Sequence, residues 1–496
     1  MTVVAGKIVA ERWKYGNNVW FVYTPTGTGD WVRWRIATQN FITGSEATYP
    51  CICGAERGQV YSGISKLQSE ADQSSGSYTQ DEKGVTFASW SETTAHRLYN
   101  VPSQMTYFRA CGLRRATTGV LLMVQYDGLN GSGNVVATAE WDLTNNTYVG
   151  FSAWTKIETT CKSIKFSRKT GGGASNVMFA GVDFVNPSIV SSPDVAGSMM
   201  LDACFETINP AAPQNGFRPM DAIANTRGVV EPQGWGESVR SVLSTQEIAC
   251  YWANRGGAFS DANVFGGINH GGIGLATTAW TYQTGTDDPA AWSPDGGDKV
   301  VCDFLIMDIT TATVYLEALR TTPKGTLAGK LIFNCTGVII DHQITTAADM
   351  DVFKLYTMQC RMPMIRGKVY FEGDTANREY NQATLVSTIK SEGVTVWGGS
   401  NDLAYRVYAL TPDDNYYYAK VSSGNVFLWV FANTQNSKVY QLPISQDVPV
   451  QFDSGSTFGN RFKISVMDKK FMVPVSVIPE SYYGRQLRSR SNKKPF

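Results

Sequence analysis

The sequence predicts a mainly β protein, built of several antiparallel β-sandwiches or jelly rolls with few short helices. Three observations predict it. Apolar residues recur at alternate positions in short runs along most of the chain. Clusters of Gly, Asn and Asp separate those runs, as turns do. The composition is rich in rings and poor in charge, with 12% aromatic residues, 13 Trp and only 17% charged residues against an average of about 25%.

At 496 residues the chain exceeds one ordinary hydrophobic core and divides into several units. The first, residues 1–83, holds the strands "VWFVYTP" (Val19–Pro25) and "WVRWRIA" (Trp31–Ala37) on either side of a glycine turn. It reads as an attachment region or as part of the first sandwich. The polar stretch "KLQSEADQSSGSYTQDEKG" (Lys66–Gly84) reads as a long loop or linker.

Residues 84–195 form the clearest unit, a jelly-roll sandwich. Its strands are "MTYFRACGL", "GVLLMVQYDG", "NVVATAEWDL" and "NTYVGFSAW", followed by "CKSIKFSRKTGGGASNVMFAGVDFVNP" (Cys161–Pro187). In that last stretch Ile164 and Phe166 share one parity before the Gly171–Gly173 knot, and Met178, Val182 and Phe184 share one after it. The pattern predicts a β-hairpin with one buried face. Residues 196–375 form a central β domain with Gly- and Trp-rich loops and firm strands at "KVVCDFLIMDI", "ATVYLEAL" and "KLIFNCTGVIIDH". Residues 376–496 form a C-terminal β domain with a basic tail, "YYGRQLRSRSNKKPF". "MDAIANT" (Met220–Thr226) and "SVRSVLSTQEIA" (Ser238–Ala249) are the best helix candidates.

Formal net charge is zero, which argues against nucleic acid or an anionic membrane as main partner. The apolar runs are far shorter than a membrane span. The N-terminal "MTVVAGKIVAERWKYG" lacks the apolar core and cleavage site of a signal peptide, so cytoplasmic synthesis is expected. Nine cysteines, several inside strands, read as buried free thiols rather than a disulfide frame. Three histidines without HxH or HExxH spacing, and no GxSxG or GxxxxGK[ST] sequence, leave no recognisable catalytic signature. Linear sequence places no pair of carboxylates across a cleft, so no glycosidase dyad such as Asp127 with Glu140 is nominated.

Two constellations carry candidate chemistry. Trp235, Trp252, Trp280, Tyr282 and Trp292, with Asn269 and His270, lie in a glycine-threaded stretch. Flat rings stack on the C–H faces of sugars while amide and imidazole groups take up hydroxyls. The same rings equally suit a core or a subunit contact. The loop "TDDPAAWSPDGGDK" offers Asp287, Asp295 and Asp298 as candidate calcium ligands. It lacks the EF-hand order, and a solvated turn is the alternative. No other cofactor is expected.

The segment of residues 84–187 resembles the galactose-binding-like jelly rolls of carbohydrate-binding modules, on "GVLLMVQYDG", "AEWDL", "FSAWTKI", "KSIKFSR" and "FAGVDFV". Asp127-Gly128, Trp154 and Asp183 stand where that pattern has an Asp-Gly turn, a mid-domain Trp and an Asp in the last strand. The glycine-rich "NRGGAFSDANVFGGINHGG" is faintly similar to the loop of C-type-lectin folds in phage variable proteins. The ensemble resembles a bacteriophage tail-fibre, spike or capsid-appendage protein. That resemblance implies a non-enzymatic structural virion component, a homo-oligomer (trimer or ring) contacting other virion proteins and a host surface glycan. A polysaccharide depolymerase or lyase is one alternative, and a purely structural collar or capsid decoration protein is another.

Overall fold

The computed structural model describes residues 6–14, 19–25, 29, 31–37, 51–58, 60–76, 78–82, 85–114, 118–144, 148–170, 176–195, 249–258, 264–265, 277–316, 319–356, 358–362, 367–371, 378–379, 386–390, 393–398, 403–409, 427–432, 437–441 and 449–468. These residues are almost entirely strand, arranged in several antiparallel sheets. Among them helix is confined to two three-residue 3-10 turns, Gln68–Glu70 and Leu129–Gly131. None of their helices is long and apolar enough to cross a membrane. The two helix candidates lie outside the described residues, save Ala249, which begins a strand.

The first strands, β1 (Ile8–Arg12), β2 (Val19–Pro25), β3 (Trp31–Ala37) and β4 (Cys51–Gly58), form a meander, and Lys299–Cys302 adds to the free side of β1. Register places Ala10, Val22 and Trp34 side by side on one face and Val9, Tyr23 and Arg33 on the other. All six are buried. A sheet covered on both faces has no need of polar residues at alternate positions, which explains the unbroken run of rings and branched chains in "VWFVYTP".

A sandwich follows, from β5 (Tyr61–Leu67) through β6 (Gln73–Ser75), β7 (Thr79–Glu82), β8 (Val85–Trp90), β9 (His96–Asn100), β10 (Tyr107–Arg114), β11 (Val120–Tyr126), β12 (Val135–Asp142), β13 (Tyr148–Phe151), β14 (Thr155–Lys156) and β15 (Ser163–Arg168) to β16 (Val177–Val190). One sheet runs β13-β10-β16-β8-β7, with β14 on β10 and β5 on β16; the other runs β12-β11-β15-β9-β6. From β8 to β16 the chain passes between the sheets at nearly every connection, the winding of a jelly roll. Leu121, Met123, Ile164 and Phe166 of one sheet meet Phe108, Ala110, Phe179 and Phe184 of the other in a closed core. Each of these side chains other than that of Ala110 contributes about 1.5–3 kcal/mol by leaving water.

The structure departs from the sequence expectations in three places. β15 and β16 are not a hairpin: β15 pairs with β11 and β9, while β16 pairs with β10, β8 and β5. The two strands belong to opposite sheets of the sandwich. Period-two spacing marks a strand with a buried face, but it does not say which strand lies alongside. The parity differs too. A register shift opposite Cys111 and Gly112 brings Val177 and Phe179, not Met178, onto the core side with Val182 and Phe184. The polar stretch from Lys66 to Gly84 is no simple loop, because it contains β6 and β7. Both are short edge strands, and β6 is largely exposed, so neither carries an apolar period.

β16 also buries Asp183 on the face away from that core. Arg109 on β10 donates from Nε and Nη2 to Asp183 Oδ2 at 3.1 and 3.0 Å, and Ser65 on β5 donates to Oδ1 at 2.5 Å. The guanidinium lies 4.3 Å from the ring centre of Phe151 and 4.6 Å from that of Trp154. Charge-assisted hydrogen bonds and ring faces offset the desolvation of the pair.

Beyond the sandwich a ten-stranded sheet takes in strands from Thr277–Gln283 to Thr457–Asp468. Gly337–Thr346 pairs with Thr457–Asp468, so one sheet spans the central and C-terminal stretches. Rows such as Leu305, Phe333, Val338 and Ile464 run across it, fully buried. Trp34 of β3 packs against Phe333 with ring centres 6.3 Å apart, laying the N-terminal sheet over this one.

Candidate functional site

Three of the aromatic candidates, Trp280, Tyr282 and Trp292, lie where the N-terminal sheet and the ten-stranded sheet meet at an edge. Thr277–Gln283 pairs with Phe304–Leu316, and Trp280 and Tyr282 share the face that carries buried Met307 and Leu305. The two-residue strand Ala290–Ala291 runs along its outer side, and Trp292 N–H donates to Trp280 O at 2.8 Å. That bond sets Trp292 beside Trp280, ring centres 5.6 Å apart at 85°, edge to face. Trp20 of β2 lies on the other flank of Trp280 at 5.2 Å and 37°. Trp20 and Trp280 are buried, whereas Trp292 and Tyr282 are half-buried. The rings therefore extend the inter-sheet core out to its rim.

The chain after Trp292 crosses from one sheet to the other and is held by β1. Arg12 Nη1 donates to Pro294 O at 2.6 Å, and its guanidinium carbon lies 6.0 Å from the Trp20 ring centre. Arg12 N–H donates to Asp298 O at 3.1 Å and Gly297 N–H to Arg12 O at 2.9 Å. Gly297 adopts φ +93° there, a left-handed conformation suited to glycine. Lys7 Nζ meets Asp303 Oδ2 at 2.7 Å on the far side of the same strand pair.

The acidic candidates are exposed, Asp295 and Asp298 on this connection and Asp287 in the turn between Thr277–Gln283 and Ala290–Ala291. Asp298 Oδ2 accepts from Asp295 N–H at 2.8 Å, and Asp298 N–H donates to Asp295 O at 3.0 Å. Asp287 O accepts from Gln283 Nε2 at 2.6 Å. These are turn-forming bonds. Among the described residues no three His, Cys, Asp or Glu side chains gather into a group able to hold a metal ion.

Of the sequence-nominated residues, Trp280, Tyr282 and Trp292 are brought together. Trp235, Asn269 and His270 lie outside the described residues, and Trp252 is placed by its backbone in the strand Ala249–Asn254. Sequence reasoning missed Trp20 and Arg12, which brace the cluster from the opposite end of the chain. Their only signal was the aromatic run around β2, which names no partner. Asp127 and Glu140 are engaged locally: Asp127 accepts from Asn134 N–H at 2.7 Å, and Glu140 pairs with Lys169 at 2.6 Å.

No family model and no curated protein matches the chain. Some solved structures align with part of it. A GH36 alpha-galactosidase from Geobacillus stearothermophilus, solved with stachyose, is 10% identical with a TM-score of 0.28, over 44% of this chain and 30% of that one. The alpha-galactosidase from Lactobacillus brevis is 11% identical with a TM-score of 0.28, over 44% and 29%. A galactose mutarotase-like protein from Lactobacillus casei is 10% identical with a TM-score of 0.20, over 44% and 97%. The chain spans less than a third of the two alpha-galactosidases.

Proposed function

We propose that the protein is a non-enzymatic structural component of a virus particle, a layered β scaffold that assembles with itself and with neighbouring virion proteins. In this reading the rim formed by Trp292 and Tyr282 contacts a surface glycan. The observation that carries the glycan contact is Trp292 itself, half-buried and braced edge-on against buried Trp280. A ring held in this way loses little freedom on stacking against a sugar. The exposed carboxylates of Asp287, in the turn before Ala290–Ala291, and of Asp295, just after Trp292, supply acceptors for hydroxyl groups. Low charge and abundant rings support the assembly role, since interface cores are depleted in charge and enriched in aromatics.

The test is binding of the purified protein to a panel of bacterial surface glycans, followed by Trp292→Ala. Loss of the stacked ring should weaken binding on the order of tenfold, from about 1.5 kcal/mol, with unchanged far-ultraviolet dichroism. Equal binding by the variant would overturn the glycan site. New reducing ends or unsaturated sugars would overturn the non-enzymatic reading. Failure to find the chain in purified particles by mass spectrometry would overturn the virion role.

A further inference from the structure

The five-stranded sheet of the sandwich ends in unequal edges. β6 has three residues and β12 has eight, while the ends of the opposite sheet, β7 and β13, have four each. An open edge presents unpaired N–H and C=O groups and recruits another strand. Brevity, charged side chains (lysine above all), prolines and bulges are the usual guards. β12 reads VVATAEWD, without Pro, Lys or Gly; its charges are confined to Glu140 and Asp142, and its one register shift lies at the end near Val135. Val135, Thr138, Glu140 and Asp142 are exposed, and Val136, Ala137 and Ala139 are half-buried. Among the described residues no strand pairs with its outer side.

We infer that β12 is a self-association edge, pairing antiparallel with β12 of a second copy about a two-fold axis. Directly opposed residues in an antiparallel pair point to the same face, so the axis must pass through a residue and not between two. With Ala139 on the axis, Ala137 faces Trp141 of the partner subunit on the core side. Thr138 faces Glu140 of the partner subunit on the outer side, where its hydroxyl donates to the carboxylate. No acid is directly opposite an acid, and Lys169 already neutralises Glu140. The alternative axis through Thr138 would set Glu140 against Val136 of the partner subunit and offer the carboxylate no donor from across the axis. Pairing joins two five-stranded sheets into one of ten strands, a closed two-fold assembly.

The register makes opposite predictions for two substitutions at one exposed position. Thr138→Glu places like charges face to face twice by symmetry, and should weaken association of the full chain about tenfold in sedimentation velocity. Thr138→Lys places opposite charges face to face and should tighten it. Ala139→Cys should cross-link to its own copy on oxidation, since opposed Cα atoms lie about 4.5–5.5 Å apart. The product is identified by mass spectrometry as two copies of the peptide that carries the substitution, joined by a disulfide. A wild-type monomer at every concentration tried would overturn the inference. So would charge variants that shift association in the same direction, or a cysteine variant that yields no such linked peptide.

Discussion

Phe166 stacks on Phe179 with ring centres 4.9 Å apart and 23° between planes, although the two residues belong to opposite sheets of the sandwich. Tyr99 and Phe108 close on Phe166 edge-on at 5.7 and 5.9 Å. The four rings join the sheets at the centre of the core. Phe166→Ala should cost about 3–5 kcal/mol by loss of burial and by the cavity left behind. Phe166→Leu should cost appreciably less. Urea unfolding followed by tryptophan fluorescence measures both, and equal midpoints for wild type and Phe166→Ala would contradict the assigned core.

The Arg109–Asp183 pair makes a different prediction, because its worth lies in mutual compensation. Asp183→Asn leaves the Arg109 guanidinium buried beside Trp154 and Phe151 without its carboxylate, and should cost about 3–5 kcal/mol. Replacing both residues together, as Arg109→Met with Asp183→Leu, should cost less than the two single substitutions added. A double-mutant cycle by denaturant unfolding measures the difference. Strict additivity would mean that the two charges do not depend on each other.

These two sites also show what the sequence made legible. The alternation of Ile164 and Phe166 identified a strand and its buried face correctly, because burial on one face writes itself into a single local segment. The partner strand was not legible, since β15 could join any strand of matching parity, and only closure of the whole sandwich selects β11 and β9. The register shift opposite Cys111 and Gly112 left no mark in "VMFAGVDFV", where both faces are buried and every position but Asp183 is small or apolar. The rim site divides in the same way. Trp280 and Trp292 lie close in sequence and were nominated together. Trp20 is some 260 residues away from them, and its contact depends on how two sheets stack.

Cys302 offers a chemical check on the sheet that joins the N-terminal strands to the central ones. Its thiol is fully buried in Lys299–Cys302, and burial pushes it up to about 12, with the Asp303 charge raising it further and Lys7 opposing. The thiolate is the reactive species, and near pH 8 only about one thiol in ten thousand would be ionised at such a site. Iodoacetamide should therefore leave Cys302 unmodified in the folded protein and label it fully in guanidinium, as read by peptide mass spectrometry. Rapid labelling without denaturant would contradict the pairing of Lys299–Cys302 with β1.

Lys463 gives the fold a pH dependence opposite in sense to that of a lysine in a salt bridge. It is buried on Thr457–Asp468, where its ammonium donates to Thr336 Oγ1. Burial pulls it down from the ordinary 10.5 to about 8; Cys335 opposes the shift and Arg406 adds to it. Between pH 8 and 10.5 the unfolded chain holds this proton more firmly than the folded one, so stability rises with pH across that window. Below about pH 8 the cost of the buried charge is fully present, and above about 10.5 it is gone. The gain is on the order of 3 kcal/mol at most. Lys463→Met removes the group, so the stability difference between wild type and variant should shift in favour of wild type from pH 8 to 10.5 in urea titrations. A difference that stays flat, or moves the other way, would place Lys463 in water.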